Sequence, residues 1–211
     1  MADNYLEKKY DEAFGTKKVV KHIGHTLDEL LTKNRSTRGY DAAFVMTRER
    51  LEKIVAVNCK VASARNQQVL RFYLVTKENG AAEVLKHVKM GAALPELHLP
   101  FEGTEPNGFI VCCSTIAENK MVDIDLGISV QSMLLRATEM GLNGLCILAF
   151  DKEAIRKELN LQYEPLAIVA IGKGIEQFEL KTIHENESHA YYREDGKHIV
   201  PKVGLEDLLM N

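Results

Sequence analysis

The chain contains no Cys-x-x-Cys pair, no GxxxxGK[ST], no GxGxxG, no HExxH and no GxSxG. A Walker-type phosphate loop, a zinc-hydrolase helix and a serine-hydrolase elbow are therefore not encoded by their usual local signals. Gly172-Lys173-Gly174 is only a fragment of a dinucleotide-binding turn, and it follows an apolar run without an evident helix after it. The histidines are scattered. His22 and His25 stand at helical spacing, and solvated side chains suit them better than a metal pair. No apolar run approaches the length of a membrane span. The charged start, Met1 to Lys9, lacks the apolar core of a secretory signal, so the cytoplasm is the expected location, with no membrane partner. A net charge of -3 gives no basic field for a nucleic-acid backbone. The cysteines Cys59, Cys112, Cys113 and Cys146 read as buried thiols in a reducing compartment. Cys112 and Cys113 are adjacent within an apolar run, and neighbours in a strand face opposite ways.

What is present suits one globular domain with extensions: 211 residues, 45% hydrophobic and 27% charged. Residues 1–25 read as an N-terminal arm, with an amphipathic helix over 3–14, and residues 26–211 as a single domain. Thr26-Leu27-Asp28-Glu29 is a capping box that opens a helix to about Lys33. Asn34 to Asp41 reads as loop. Thr47 can cap a helix with Leu51, Ile54 and Val55 on one face. Leu70–Val75, Phe109–Cys113, Leu145–Leu148 and Leu166–Ile171 read as strands, the last as a buried central one. Helices are expected at Ala81–Val88, after Asp151, and above all at Val122–Met140. There Leu126, Val130, Met133, Leu134 and Ala137 recur at helical spacing, and Asp123 and Asp125 favour the positive end. Residues 91–107 read as loop. The tail is polar and then returns to Leu205, Leu208 and Leu209, which suggests docking on something. Helices and strands mix without βαβ alternation, so the fold class is α+β.

Two polar clusters could carry chemistry. Lys33-Asn34-Arg35-Ser36-Thr37-Arg38 packs three cations and two hydroxyls into a helix-to-loop junction. Arginine offers forked donors to phosphate, and hydroxyls can bridge to it. Ser63-Ala64-Arg65-Asn66-Gln67-Gln68 precedes a strand and offers amides that both donate and accept. Taken singly, each cluster fits a solvated polar loop as readily as a pocket.

Order and separation carry more than either cluster alone. Asn34 to Arg38 resembles the Arg-rich first motif of the FMN-dependent nitroreductase-like flavoproteins. Ser63 to Gln68 resembles the Ser-x-x-Asn-x-Gln segment that follows in that family. Asp125 to Leu135, Gly141-Leu142-Asn143-Gly144 and Cys146 to Asp151 resemble its glycine-ended helix, strand and loop. Leu166 to Gly172 is similar to the next strand, and Pro201-Lys202 is a weaker echo of the C-terminal basic motif. The sequence departs from the pattern at Asn34, where an arginine is usual. It also lacks the proline near Ser63, has Val69-Leu70 for a Pro-aromatic pair, and has Val203 for a second C-terminal cation.

The resemblance implies a nitroreductase-like fold, a central and mostly antiparallel sheet flanked by helices, in an intertwined homodimer with FMN at the interface. It implies Arg35, Ser36 and Lys202 along the phosphate and ribityl, with Asn34 beside them, and Arg38 at the pyrimidine side. It implies Asn66 on the ring, with Ser63, Ala64 and Gln68 near it, often reaching flavin held by the other subunit. Backbone groups at Ile147, Leu148 and Ala149 would face the central-ring nitrogen. A fixed cation about 4 Å from the reduced, anionic ring edge is worth on the order of 4 kcal/mol at an effective dielectric near 20. No catalytic side chain or metal is then required of the protein, because the cofactor carries the chemistry. The implied activity is hydride transfer from NAD(P)H through FMN to a small acceptor such as a nitroaromatic or a quinone. The alternative is an FMN-binding protein without turnover, serving storage or interaction.

Overall fold

The computed structural model describes residues 24–91 and 97–211. The helix expected over 3–14, His22 and part of the 91–107 loop lie outside them. Helix α1, Leu27–Lys33, opens on the expected capping box: Thr26 Oγ1 accepts the Glu29 N–H at 3.2 Å, and Glu29 Oε2 accepts the Thr26 N–H at 3.1 Å. Two orphan donors of the first turn are thereby satisfied. Helix α2, Arg48–Val55, is capped by Thr47 and buries Leu51 and Ile54. Helices α3 (Ala81–His87), α4 (Lys120–Glu139), α5 (Lys152–Glu158) and α6 (Leu205–Leu208) follow.

Strands β1 (Leu70–Val75), β2 (Gly108–Ser114), β3 (Asn143–Ile147) and β4 (Glu164–Gly172) form one sheet in the order β1-β2-β4-β3. Every neighbouring pair is antiparallel. The register of β2 against β4 shifts between Cys112 and Cys113, opposite Pro165. Proline has no N–H to give the ladder, so a break in pairing sits where it is tolerated. Alternation across the pleat sorts the core into two layers. Val75, Phe109, Val111, Leu145, Ile147 and Ile168 pack on α3 and α5 residues such as Val84 and Ile155. Ile110, Cys112, Ala167, Val169 and Ile171 pack on Leu51, Ile54, Val130, Met133 and Ala137 of α2 and α4. Burying one such aliphatic side chain contributes about 1.5–3 kcal/mol. Strands covered on both faces read as unbroken apolar runs, as β2 and β4 do.

The tail is more ordered than its polarity suggests. Strands β5 (Gln177–Ile183), β6 (Tyr192–Glu194) and β7 (Lys197–Val203) form a second sheet in the order β5-β7-β6. β5 runs parallel to β7, and β6 and β7 form an antiparallel hairpin. The hairpin turns on Asp195 and Gly196, with φ of 48° and 77°. Both positions need a left-handed backbone there, which is why Asp-Gly is a strong hairpin signal. After it, Leu205, Leu208 and Leu209 are all exposed.

The thiols need a correction. Cys112 and Cys113 are buried on opposite faces of the sheet, as expected, but Cys146 is half-buried and Cys59 is exposed. Cys59 lies on a surface turn, Ala56–Cys59, that the apolar context did not reveal. Burial pushes the Cys113 thiol up to about 11 and holds Cys112 well above the usual thiol range. Only the thiolate attacks. A disulfide reagent at neutral pH is therefore expected to label Cys59 first, and Cys112 only on unfolding, as mass mapping of the adducts would show.

Candidate functional site

The first cluster is held by its own buried residues, by β3 and β4, and by Glu176 just ahead of the next strand. α1 ends at Asn34, whose N–H donates to Leu30 O at 2.8 Å. Thr37 is fully buried; its N–H donates to Gly144 O at 3.1 Å and its hydroxyl to Arg35 O at 3.0 Å. Tyr40, also buried, donates its hydroxyl to Thr37 O at 2.6 Å and lies so close over Gly172 that a Cβ there would be 2.7 Å from the ring. Glu176, with a side chain 8% exposed, accepts the N–H groups of Arg38 at 2.5 Å and Gly39 at 3.2 Å and pairs with Arg193. With Thr37 and Tyr40 turned inward, Arg35, Ser36 and Arg38 are left facing out.

They face one cavity. A space of about 340 Å³ is lined by Asn34, Arg35, Ser36 and Arg38 on one side and by Tyr191, His198 and Lys202 of the tail on the other. Among the described residues, its lining carries three cations and no carboxylate. Among the described residues three buried side-chain nitrogens lack a hydrogen-bond partner: Arg35 Nε, Arg38 Nε and His198 Nδ1. All three belong to residues lining this cavity. Unpartnered buried donors are uncommon and call for an explanation; an anion among them supplies one. Arg35 is otherwise tied by Nη2 to Leu31 O at 2.5 Å, and burial lowers its basicity. Arg38 Nη1 donates to Ser36 O at 3.1 Å, and its guanidinium lies 5.3 Å from the Tyr191 ring centre.

The second cluster lies elsewhere. Ser63 and Gln68 line a separate groove of about 540 Å³ along β1, together with Asp125 and Ser129. The turn is unusual: Arg65, Asn66 and Gln68 have φ of 52°, 54° and 49°. Left-handed backbone costs a non-glycine residue about 1–2 kcal/mol, so the surroundings must enforce it. Asp125 does much of this. It is buried, and its carboxylate accepts the Ala64 N–H at 2.7 Å. The sequence suggested a helix-end role for Asp125; that role falls to Asn119, which caps α4. Ser63 Oγ accepts the Gln68 N–H, and Gln68 Nε2 donates to Asn66 Oδ1, both at 3.2 Å. Asp125→Ala would orphan the Ala64 N–H, at a cost of roughly 1–3 kcal/mol. Asp125→Asn, which keeps an acceptor, should lose less in thermal denaturation.

The third expected group sits apart from both cavities. Ile147 is buried in the core, Leu148 and Ala149 are exposed, and Ala149 O accepts the Lys89 N–H at 2.8 Å. Of the remaining candidates, Lys202 lines the first cavity, while Ala64 and Asn66 line neither. Sequence reasoning missed Glu176, Tyr191 and His198. The Asp-Gly turn could have placed the latter two on a hairpin. Nothing local marked Glu176. No group of three His, Cys, Asp or Glu residues that could hold a metal occurs among the described residues. Nor is any helix there long and apolar enough to cross a membrane.

Residues 114–173 match the model of the Nitroreductase family. A nitroreductase family protein of Clostridium difficile superimposes with a TM-score of 0.58 at 23% identity, over 72% of this chain and 86% of that one. A protein of Exiguobacterium sibiricum, named a nitroreductase and solved in complex with FMN, gives 0.59 at 17% identity, over 72% and 90%. One of Staphylococcus epidermidis, named an NAD(P)H:FMN oxidoreductase, gives 0.58 at 18%, over 72% and 88%. The chain has the nitroreductase fold. No curated protein matches. The family match spans the end of β2, α4, β3, α5 and β4. Within the nitroreductase fold it covers Asp125 and Gly144, which pin the two polar clusters, rather than the clusters themselves.

Proposed function

We propose that this protein is a homodimeric, FMN-dependent oxidoreductase that passes a hydride from NAD(P)H through FMN to a small acceptor such as a nitroaromatic or a quinone. The observation that carries the reading is the cavity lined by Arg35, Arg38 and His198, each of which has a buried side-chain nitrogen without a partner. FMN, when bound, supplies the hydride chemistry. Arg35, Ser36 and Lys202 bind its phosphate and ribityl, Asn34 adds a neutral donor, and Arg38 stands toward the pyrimidine side. The Staphylococcus epidermidis neighbour's name favours a nicotinamide as the hydride source.

The split between the clusters supports the dimer. In one chain Ser63 and Gln68 line a groove separate from the arginine cavity. A second copy can bring the partner's Asn66 and Gln68 to the ring, with Ser63 and Ala64 shaping the turn that presents them. Exposed Met121, Ile124 and Ile128 on one side of α4, and Leu205, Leu208 and Leu209 in the tail, offer apolar surface for it. Ile147, Leu148 and Ala149 then contribute backbone groups toward the ring.

Anaerobic addition of NADH or NADPH to the purified yellow protein tests the turnover. Bleaching of the flavin band is expected. A yellow protein that never bleaches supports the storage alternative, and a protein that cannot be loaded with FMN ends the reading. Arg38→Ala should slow flavin reduction by more than it weakens dimer formation, measured by stopped flow and sedimentation. Unchanged hydride transfer would remove Arg38 from the ring.

A further inference from the structure

We propose that His198 is a titratable contact for the phosphate monoester held by Arg35, Ser36 and Lys202, and that it takes up a proton as the anion binds. The inference rests on the FMN reading above. The imidazole is 3% exposed and lines the same cavity as the three cations. Its Nδ1 is buried with no partner. The ring is held in place by Phe178 of β5, centroids 5.4 Å apart, and by Tyr191 beside β6, at 5.0 Å. A clamped ring that lines a cationic cavity and keeps a buried nitrogen without a partner is arranged for a ligand rather than for packing alone.

The charges around it decide when it protonates. Burial pushes the His198 pKa down from its ordinary 6.5; Glu176, ahead of β5, pulls it up, and Arg38 from the first loop and Arg193 from β6 push it down. Tyr191 is the other titratable group against the ring, and Lys202 lies further along β7 itself. Without an anion the ring is therefore neutral near neutral pH. In that state the unfolded chain binds the proton first as pH falls through 6.5, so His198 favours folding above that pH and less below it. A phosphate dianion reverses the balance. It offsets the guanidinium charge and leaves the Glu176 attraction in place. An opposite charge within about 4–6 Å raises such a pKa by roughly 1–3 units. The proton turns a one-donor ring into a two-donor cation, and charge-assisted bonds to phosphate are the stronger kind.

Calorimetric titration of FMN into the flavin-stripped protein, in two buffers of different ionisation enthalpy, reads the proton directly. Near pH 7.5 the FMN phosphate, with a second pKa of about 6, has almost none to release. The expected result is net proton uptake with FMN and none with riboflavin. Uptake should vanish in His198→Gln, and the weakening of FMN binding with rising pH, up to about tenfold per unit in the wild type, should flatten. The riboflavin comparison stands even if the variant folds poorly. FMN binding with no linked proton, or with equal uptake for riboflavin or for His198→Gln, overturns this proposal and leaves the FMN reading intact. Failure to bind FMN at all overturns both.

Discussion

Arg35→Ala is expected to bind FMN about ten- to a hundredfold more weakly while keeping its fold. The side chain is half-buried, lines the cavity and has a buried Nε without a partner. A hydrogen bond to a charged group contributes roughly 1.5–3 kcal/mol, and each 1.4 kcal/mol is about a factor of ten in Kd. Its side-chain bond to Leu31 O stabilises the end of a two-turn helix. Thermal denaturation of the flavin-free variant should thus stay near the wild-type midpoint. Fluorescence titration should show the loss. An unchanged Kd would mean that the cavity does not hold the phosphate.

Gly144→Ala should fail in the opposite way, through the fold. A Cβ at Gly144 would lie 2.5 Å from Leu134 Cδ2, 2.8 Å from Ile171 Cδ1 and 2.9 Å from Ala170 O. The leucine could turn aside, but the carbonyl belongs to the neighbouring strand β4 and cannot. Overpacking a dense core costs about 1–3 kcal/mol, and contact with fixed backbone puts this site near the upper value. For a chain of this size that lowers Tm by on the order of 5–10 °C. The same strand shift would loosen Thr37, whose N–H is bonded to Gly144 O, and through it Arg35 and Arg38. Leu134→Ala in the same chain should restore only part of the midpoint, because it relieves the side-chain clash and not the one with Ala170 O. Full recovery would mean that the backbone does yield.

These two variants mark what the sequence made legible. The four strands of the main sheet and the helices around them were readable because each carries its own signal. Thr26 and Glu29 announce a helix start, and Leu70 to Val75 and Leu166 to Ile171 are apolar runs of strand length. The arginine loop was readable as chemistry because three cations and two hydroxyls crowd six positions. What stayed hidden depends on long-range partners. Glu176 acts on Arg38 and Gly39, which lie far back along the chain, and an isolated glutamate gives no sign of that. Asp125 looked like a helix-end charge, and it is a buried acceptor for a turn far earlier in the sequence. The hairpin at Asp195-Gly196 was signalled, but the polar residues around it masked its strands. His198 became a site residue only when that hairpin closed over the first loop.

The central claim is that the cavity lined by Arg35, Ser36 and Lys202 recognises the phosphate of a flavin. Parallel titrations of FMN and riboflavin, followed by quenching of flavin fluorescence, test it most directly. With several charge-assisted bonds to the phosphate, FMN should bind about a hundredfold more tightly or better. Equal affinities for FMN and riboflavin, or no binding of either, would contradict it.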